Sequence, residues 1–257
     1  MNGRRAIDGF ILAVALLAAT AVHGDGDRQL RASMTGDAPS LMMWAWEEPE
    51  DLRGADPRRL GVAFLAERIF VGSNVKVVKR RQRILVPDGI WAEAVVRIEA
   101  APGFIDSSPV RRSVADAVLQ AAHLQGVRGV QVDFDAKTSQ RGFYSYVLRQ
   151  VRTALPRGER LEITALASWC AQSAGWMSSL PVDAAVPMEF RLGDHVGDWG
   201  VREPLCLGSV GVATDEAHAA AATDGRRTFV FSPRPWTTKQ IAQLNRGEIP
   251  QDVKGAR

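Results

Sequence analysis

Short apolar runs begin near residues 41, 59, 92, 129, 161, 183, 207 and 228, and from the third onward helical patterns separate most of them. A strand that passes through a helix into the next strand returns parallel to the first, by a right-handed crossover. Eight such units in a chain of 257 residues, 46% of them hydrophobic, suffice to close a barrel around one core. The expected fold is α/β: a single (β/α)8 TIM-like barrel over residues 41–247. An open doubly wound sheet is the competing arrangement. No glycine-rich nucleotide fingerprint follows any of the strands, which counts against it.

The first third is irregular. Asp51–Pro57 has room for one helical turn only. Arg68–Val71 and Val75–Lys79 flank the turn signal Gly72-Ser73-Asn74, so a β-hairpin insertion is expected near 67–87. It ends in Lys76, Lys79, Arg80, Arg81 and Arg83. That cluster reads either as an anion-binding patch or, preferably, as charge guarding a sheet edge. Further on, Ser113 with Asp116 resembles a capping box opening a helix to Leu124. Thr138 or Ser139 caps a helix whose apolar face holds Phe143, Val147 and Val151. Trp176–Leu180, Asp215–Ala222 and Thr237–Arg246 complete the helices.

The amino terminus has a different character. Arg4 and Arg5 precede the apolar run Phe10–Val22, and small residues follow at Ala19-Thr20-Ala21 and Val22-His23-Gly24. This is the pattern of a secretory signal peptide over 1–24, with a retained anchor as the alternative. The run is shorter than the roughly 20 residues that span a bilayer, so no stable membrane span is expected after cleavage. Residues 25–40 read as a flexible leader and 248–257 as a disordered tail. The expected location is periplasmic or secreted. Export permits a disulfide between Cys170 and Cys206; two buried thiols are preferred, because a core this large needs no staple. The net charge is +3, and no recognition motif for nucleic acid accompanies it, so nucleic acid is not an expected partner.

The chemistry gathers at strand ends. In Gly126–Tyr144, Val130, Val132 and Phe134 alternate with Gln131, Asp133 and Asp135. Residues two apart on a strand share a face, so both aspartates project together at the carboxyl end. In a parallel barrel those ends form one mouth. Trp46, Arg97, Glu99, Trp169, Glu189, Arg191 and Trp236 are placed there as well. Paired carboxylates serve glycoside hydrolysis, one protonated and one ionised, and adjacent carboxylates push their pKa values apart. The candidate catalytic residues are Asp133, Asp135 and Glu189. The candidate substrate contacts are Trp46, Arg97, Glu99, Trp169, Arg191 and Trp236, with the tryptophans as platforms for sugar rings. The expected partner is a glycan or oligosaccharide.

Each residue has a plainer reading. Asp133 can be a buried partner of Arg97, Asp135 a helix cap, and Glu189 can point outward, opposite Met188 and Phe190. Trp44, Trp91 and Trp176 read as core. No Gly-x-Ser-x-Gly or His-Glu-x-x-His pattern is present. Asp194, His195 and Asp198 form a weak metal-like group, and Asp133 with Asp135 suits a divalent cation only in principle. No metal and no cofactor is expected.

GVQVDFDAKTSQRGFY, with MMWAWEEPEDLR before it and ITALASWC and LPVDAAVPMEFRLG after it, resembles a bacterial family of exported proteins known only as a domain of unknown function. That resemblance covers most of residues 41–235 and implies a barrel akin to glycoside hydrolases. The strand more distantly resembles the chitinase-like glycoside hydrolase family eighteen, whose motif is Asp-x-x-Asp-x-Asp-x-Glu. Asp133 matches it; Gln131 stands in place of an acid, and Asp135 in place of the Glu that serves as general acid. Met188-Glu189-Phe190-Arg191 is similar to that family's Met-x-Tyr-Asp, with Arg191 replacing the acid. Trp236 lies where the family has a tryptophan after the last strand. Aspartate is one methylene shorter than glutamate, and a misplacement near 1 Å costs on the order of a hundredfold in rate. The resemblance thus implies either a deeper substrate, another acid, or a barrel that binds without cutting.

Overall fold

A computed structural model describes residues 38–171, 175–192, 200–216 and 225–252. In chain order the elements are β1 (Leu41–Ala45), β2 (Glu50–Asp51), β3 (Leu60–Val71), β4 (Val75–Lys79), β5 (Ile84–Leu85), β6 (Trp91–Ala100), α1 (Ser108–Ala122), β7 (Val127–Asp133), α2 (Arg141–Ala154), β8 (Arg160–Leu166), α3 (Ala167–Cys170), β9 (Ala184–Met188), β10 (Ser209–Ala213), β11 (Arg227–Phe231) and α4 (Thr238–Asn245). Eight strands run parallel in the order β1-β3-β6-β7-β8-β9-β10-β11. The ring closes at β1, where Met43 pairs with Val62 on one side and Val230 on the other. The fold is a closed, parallel, TIM-like barrel, as the recurrence of apolar runs predicts.

Alternation divides each strand between two environments. Ala94, Val96 and Ile98 of β6 pack outward into one cluster with Val114 and Val118 of α1 and Phe143, Val147 and Val151 of α2. Val95 packs in a separate cluster with Trp44, Leu65 and Phe229, which fills the middle of the barrel. The polar residues Glu93 and Arg97 share the face of Val95, so the lumen is apolar at mid-height and charged at both ends.

The amino-terminal end of the lumen holds a buried charge cluster. Arg227 donates to Glu162 at 2.5 Å and to Glu93 at 2.6 Å. Arg160 also donates to Glu162, at 2.8 Å, and the Trp91 indole to Glu93, at 2.7 Å. Gly129 of β7 makes room, since a Cβ there would lie 3.0 Å from the Arg160 Cβ and 3.4 Å from the Glu93 Cγ. Oε2 of both glutamates is buried without a hydrogen-bond partner among the described residues. Burial first, and Glu93 second, push the Glu162 carboxyl up to about 7 against the pull of Arg227 and Arg160.

A carboxyl raised in the folded state binds more protons folded than unfolded, so stability falls as pH rises. The Glu162 contribution is expected to be full below about 4.5 and lost by about 7, the ordinary and folded values. Chemical denaturation across that range should show the decline in wild type and a flatter profile in Glu162→Gln.

Several local expectations are corrected. Over 51–57 the chain makes a single hydrogen-bonded turn, the Ala55 N–H donating to the Leu52 carbonyl at 3.0 Å, and no helix, while Glu50–Asp51 pairs with Ile84–Leu85 in a separate two-stranded sheet. The hairpin expected near 67–87 is present and continues a barrel strand: β3 runs on to Val71, keeps pairing with β6 past a shift between Leu65 and Glu67, and turns back into β4. Helix α1 opens at Ser108 with a proline in its first turn, so Ser113 and Asp116 lie inside it. Cys170 and Cys206 are joined in a disulfide, with Cα atoms 5.9 Å apart, rather than being free thiols. Their 36-residue separation hid that the carboxyl end of β8 and the turn before β10 meet around β9. Closing a loop of that length contributes about 3–4 kcal/mol in the chain-entropy model. Residues 248–252, assigned to the tail, pack back: the Asp252 N–H donates to the Thr214 carbonyl at 2.5 Å. Most of the expected helix 215–222 lies outside the described residues, as do Asp194, His195 and Asp198. Among the described residues no helix is long and apolar enough to cross a membrane.

Candidate functional site

A cavity of about 440 Å3 opens at the carboxyl mouth of the barrel. Its floor is Gln131, Asp133 and Thr164, carried by the inward faces of β7 and β8. Gln131 is fully buried, and its Oε1 accepts from the Trp44 indole at 2.8 Å. An indole N–H can only donate, so the amide oxygen must face Trp44 and the NH2 must face elsewhere. That Nε2 has no hydrogen-bond partner among the described residues. A buried unpaired donor costs about 1–3 kcal/mol, and a ligand acceptor entering the cavity would relieve it.

Asp133 stands directly opposite Arg97 in the β6–β7 register. Its Oδ2 accepts from Arg97 at 2.5 Å and its Oδ1 from the Thr164 hydroxyl at 2.7 Å. Both oxygens are thus engaged, and the side chain is 4% exposed. Strand β7 ends at Asp133, so Asp135 is no longer held to the strand's alternation. Its side chain is 48% exposed, and Oδ2 lies 3.7 Å from the other terminal nitrogen of Arg97. The guanidinium therefore occupies the space between the carboxylates that a divalent cation would need. Burial first and then repulsion from Asp133 raise the Asp135 carboxyl above its ordinary value, with Arg97 opposing them. Asp135 faces a neighbouring cavity that shares Met188, Phe190 and Arg191 with the first. Glu99 does not line either cavity; it accepts from Arg68 at 2.5 Å and lies 3.5 Å from Arg97.

The aromatic wall differs from the expected one. Trp46 does line the main cavity, edge-on to Phe231, with ring centroids 6.4 Å apart. Phe231 stacks on Phe190 at 5.6 Å with planes 6° apart. Trp169 and Trp236 offer no platform: they are 8% and 6% exposed. Trp169 packs edge-on to Trp176, and the Trp236 indole donates to the Trp44 carbonyl at 2.9 Å. Phe190 and Phe231 escaped the sequence reading. Their one signal is position, at or just past strand ends in phase with the lumen.

Trp44, assigned to the core, is 4% exposed yet borders the cavity as well. Gly211 on β10 admits its ring, since a Cβ there would lie 2.8 Å from the indole. Gly211→Ala is expected to cost about 1–3 kcal/mol by overpacking. It should also shift Trp44 off Gln131, seen as a lower thermal midpoint and altered Trp fluorescence.

Glu189 lines neither cavity. Past β9 it points away from the cavity formed by its neighbours Met188 and Phe190, and pairs with Arg226 at 3.0 Å. Arg191 is at the rim, its guanidinium 5.5 Å from the Phe231 centroid and 3.5 Å from Asp215. Its φ of 55° is in the left-handed region, rare for a side-chain-bearing residue. The Glu216 carboxylate holds this conformation by accepting from the Arg191 N–H at 2.9 Å.

No family model matches the chain, and no curated protein does. Among solved structures it aligns with the crystal structure of the Bacillus cereus spore cortex-lytic enzyme SleL, at 18% identity and a TM-score of 0.42. The alignment covers 62% of this chain and 43% of that one, so this chain spans less than half the length of that enzyme. The barrel assignment stands on the strand pairing itself.

Proposed function

We propose that this chain is an exported barrel that binds a glycan in the mouth cavity and cleaves it with Asp135 as general acid and base. The observation that carries the reading is the Asp133–Arg97–Asp135 unit beside a wall of aromatic rings, at the end of a parallel barrel where loops and strand ends converge. In this reading Trp46, Phe190 and Phe231 take the apolar faces of sugar rings. The unpaired Gln131 amide donates to a sugar oxygen. Asp135, whose carboxyl is raised by burial and by Asp133, donates its proton to the leaving glycosidic oxygen as the anomeric C–O bond breaks; the carboxylate so formed takes a proton from the water that attacks the anomeric carbon, which restores the acid. Asp133 is a positioning residue that acts through Arg97 and through its own charge. Export rests on the basic, apolar and small-residue succession over 1–24.

A second reading, a barrel that binds without cutting, is favoured by Arg97. The same guanidinium that steadies Asp133 also pulls on Asp135, which works against a protonated acid. Mass spectrometry of a bacterial and plant glycan panel after incubation with the mature chain separates the two. New, shorter oligosaccharides are expected under the first. Unchanged glycans that bind, and whose binding is lost in Trp46→Ala, would select the second. Neither products nor binding would overturn both.

A further inference from the structure

The basic end of the hairpin is not consumed by the mouth cavity. Beside it lies a second cavity, of about 520 Å3, between β3, β4 and the loop after β1. Arg80 builds this place. Its guanidinium donates to the carbonyls of Trp46 and Glu48, which ties the loop bearing Trp46 and Glu47 to the hairpin. Arg68 lines both cavities and links them, donating to Glu99 on the mouth side and to Glu47 on the hairpin side.

Two features of the second cavity ask for a ligand. Lys76, Lys79 and Arg81 surround it and are exposed, and none forms an ion pair among the described residues. Glu67 is only 3% exposed and lines the same space, and its Oε1 is buried without a hydrogen-bond partner. Burial pushes the Glu67 carboxyl up, and Lys79, its register partner across the hairpin, opposes this only in part. A buried acceptor calls for a hydroxyl donor, and three exposed cations without an ion pair among the described residues, at a cavity that Glu47 and Glu48 also line, call for anions. A simple polyanion supplies only the second. A chain of sugars bearing carboxylates supplies both, one from its hydroxyls and one from its acid groups.

We infer that the hairpin cavity is a subsite for an acidic oligosaccharide, continuous through Arg68 with the mouth of the barrel. The carboxylates of the sugar chain seat against Lys76, Lys79 and Arg81, and a hydroxyl donates to Glu67. This rests on the glycan reading of the mouth and goes further, because it names the class of glycan.

Calorimetric titration of the full chain with tetramers of galacturonate, alginate and hyaluronan tests it, each against its carboxyl-reduced counterpart. At least one acid is expected to bind about tenfold tighter than its neutral form, the sum of three exposed ion pairs. The difference should fall with added salt and vanish in Lys76→Ala/Lys79→Ala/Arg81→Ala. Glu67→Leu should weaken acid and neutral forms alike, and Glu67→Gln should restore most of the loss. Acid and neutral forms binding equally would overturn the subsite and leave the mouth reading standing. No glycan binding at all would overturn both. Binding of single-stranded RNA, but of no acidic glycan, lost in the same triple variant, would overturn the subsite in favour of nucleic acid.

Discussion

Asp135→Asn is expected to lower the turnover of any glycan this chain cleaves by about 10^2–10^4-fold, the usual worth of a positioned general acid or base. The amide keeps the size and much of the hydrogen-bonding capacity of the carboxyl but has no acidic proton to transfer. Affinity should stay within about twofold, because the ring contacts with Trp46 and Phe231 and the Gln131 donor are untouched. The loss should therefore appear in kcat rather than in KM. The pH profile supplies a second readout. Burial first and then Asp133 raise the Asp135 carboxyl, with Arg97 opposing them, so its protonated form persists to higher pH than that of a free aspartate. The basic limb of kcat/KM should then lie above the value of a free aspartate. Products formed equally by Asp135→Asn would move the acid elsewhere on the mouth.

Arg227→Met is expected to destabilise the fold by about 3–5 kcal/mol, the cost of leaving buried charge without its partner. Arg227 is 9% exposed and serves two carboxylates that are each 1% exposed. Its guanidinium also lies 4.8 Å from the Phe229 centroid, which methionine replaces only in part. Without it, Glu93 retains the Trp91 indole and Glu162 retains Arg160, and the two anions repel in a medium that screens poorly. The thermal midpoint should drop by roughly 10 °C. The deficit should shrink as pH falls, since protonated carboxyls need no counter-charge. Adding Glu93→Gln and Glu162→Gln should recover much of it. A deficit independent of pH and of those two changes would mean that packing, not charge, is what Arg227 supplies.

Arg227 also shows where sequence reading reaches its limit. Period-two alternation puts Glu93, Val95 and Arg97 on one face of β6, and the lumen holds that face. Sequence reading also offers Asp133 as a buried partner of Arg97, and that pair forms; what it leaves open is the register that sets the two directly opposite each other, on strands separated by a helix. Nor could it join Glu93, Glu162 and Arg227, which stand on three strands and meet only because the sheet closes. The same alternation puts Asp133 and Asp135 on one strand face. The strand stops at Asp133, so one carboxyl is locked in the lumen and the other stands half-exposed at the rim. Trp169 and Trp236 differ for a related cause: both lie past strand ends, where side-chain direction is set by the loop and not by the pleat. Glu189 follows its plainer reading, opposite Met188 and Phe190.

What the sequence by itself determined is the barrel: eight apolar runs, helices between the later ones and an irregular first third, all set by local periodicity and turn chemistry. The tertiary structure alone decided which strand-end residues form the site. It turned Trp169 and Trp236 into core, brought Phe190 and Phe231 to the wall, joined Cys170 to Cys206 and left the Gln131 amide facing an open cavity. The reason is one of range. Alternation is a property of neighbouring residues, whereas a site is made of contacts between strands, and those follow from register and closure.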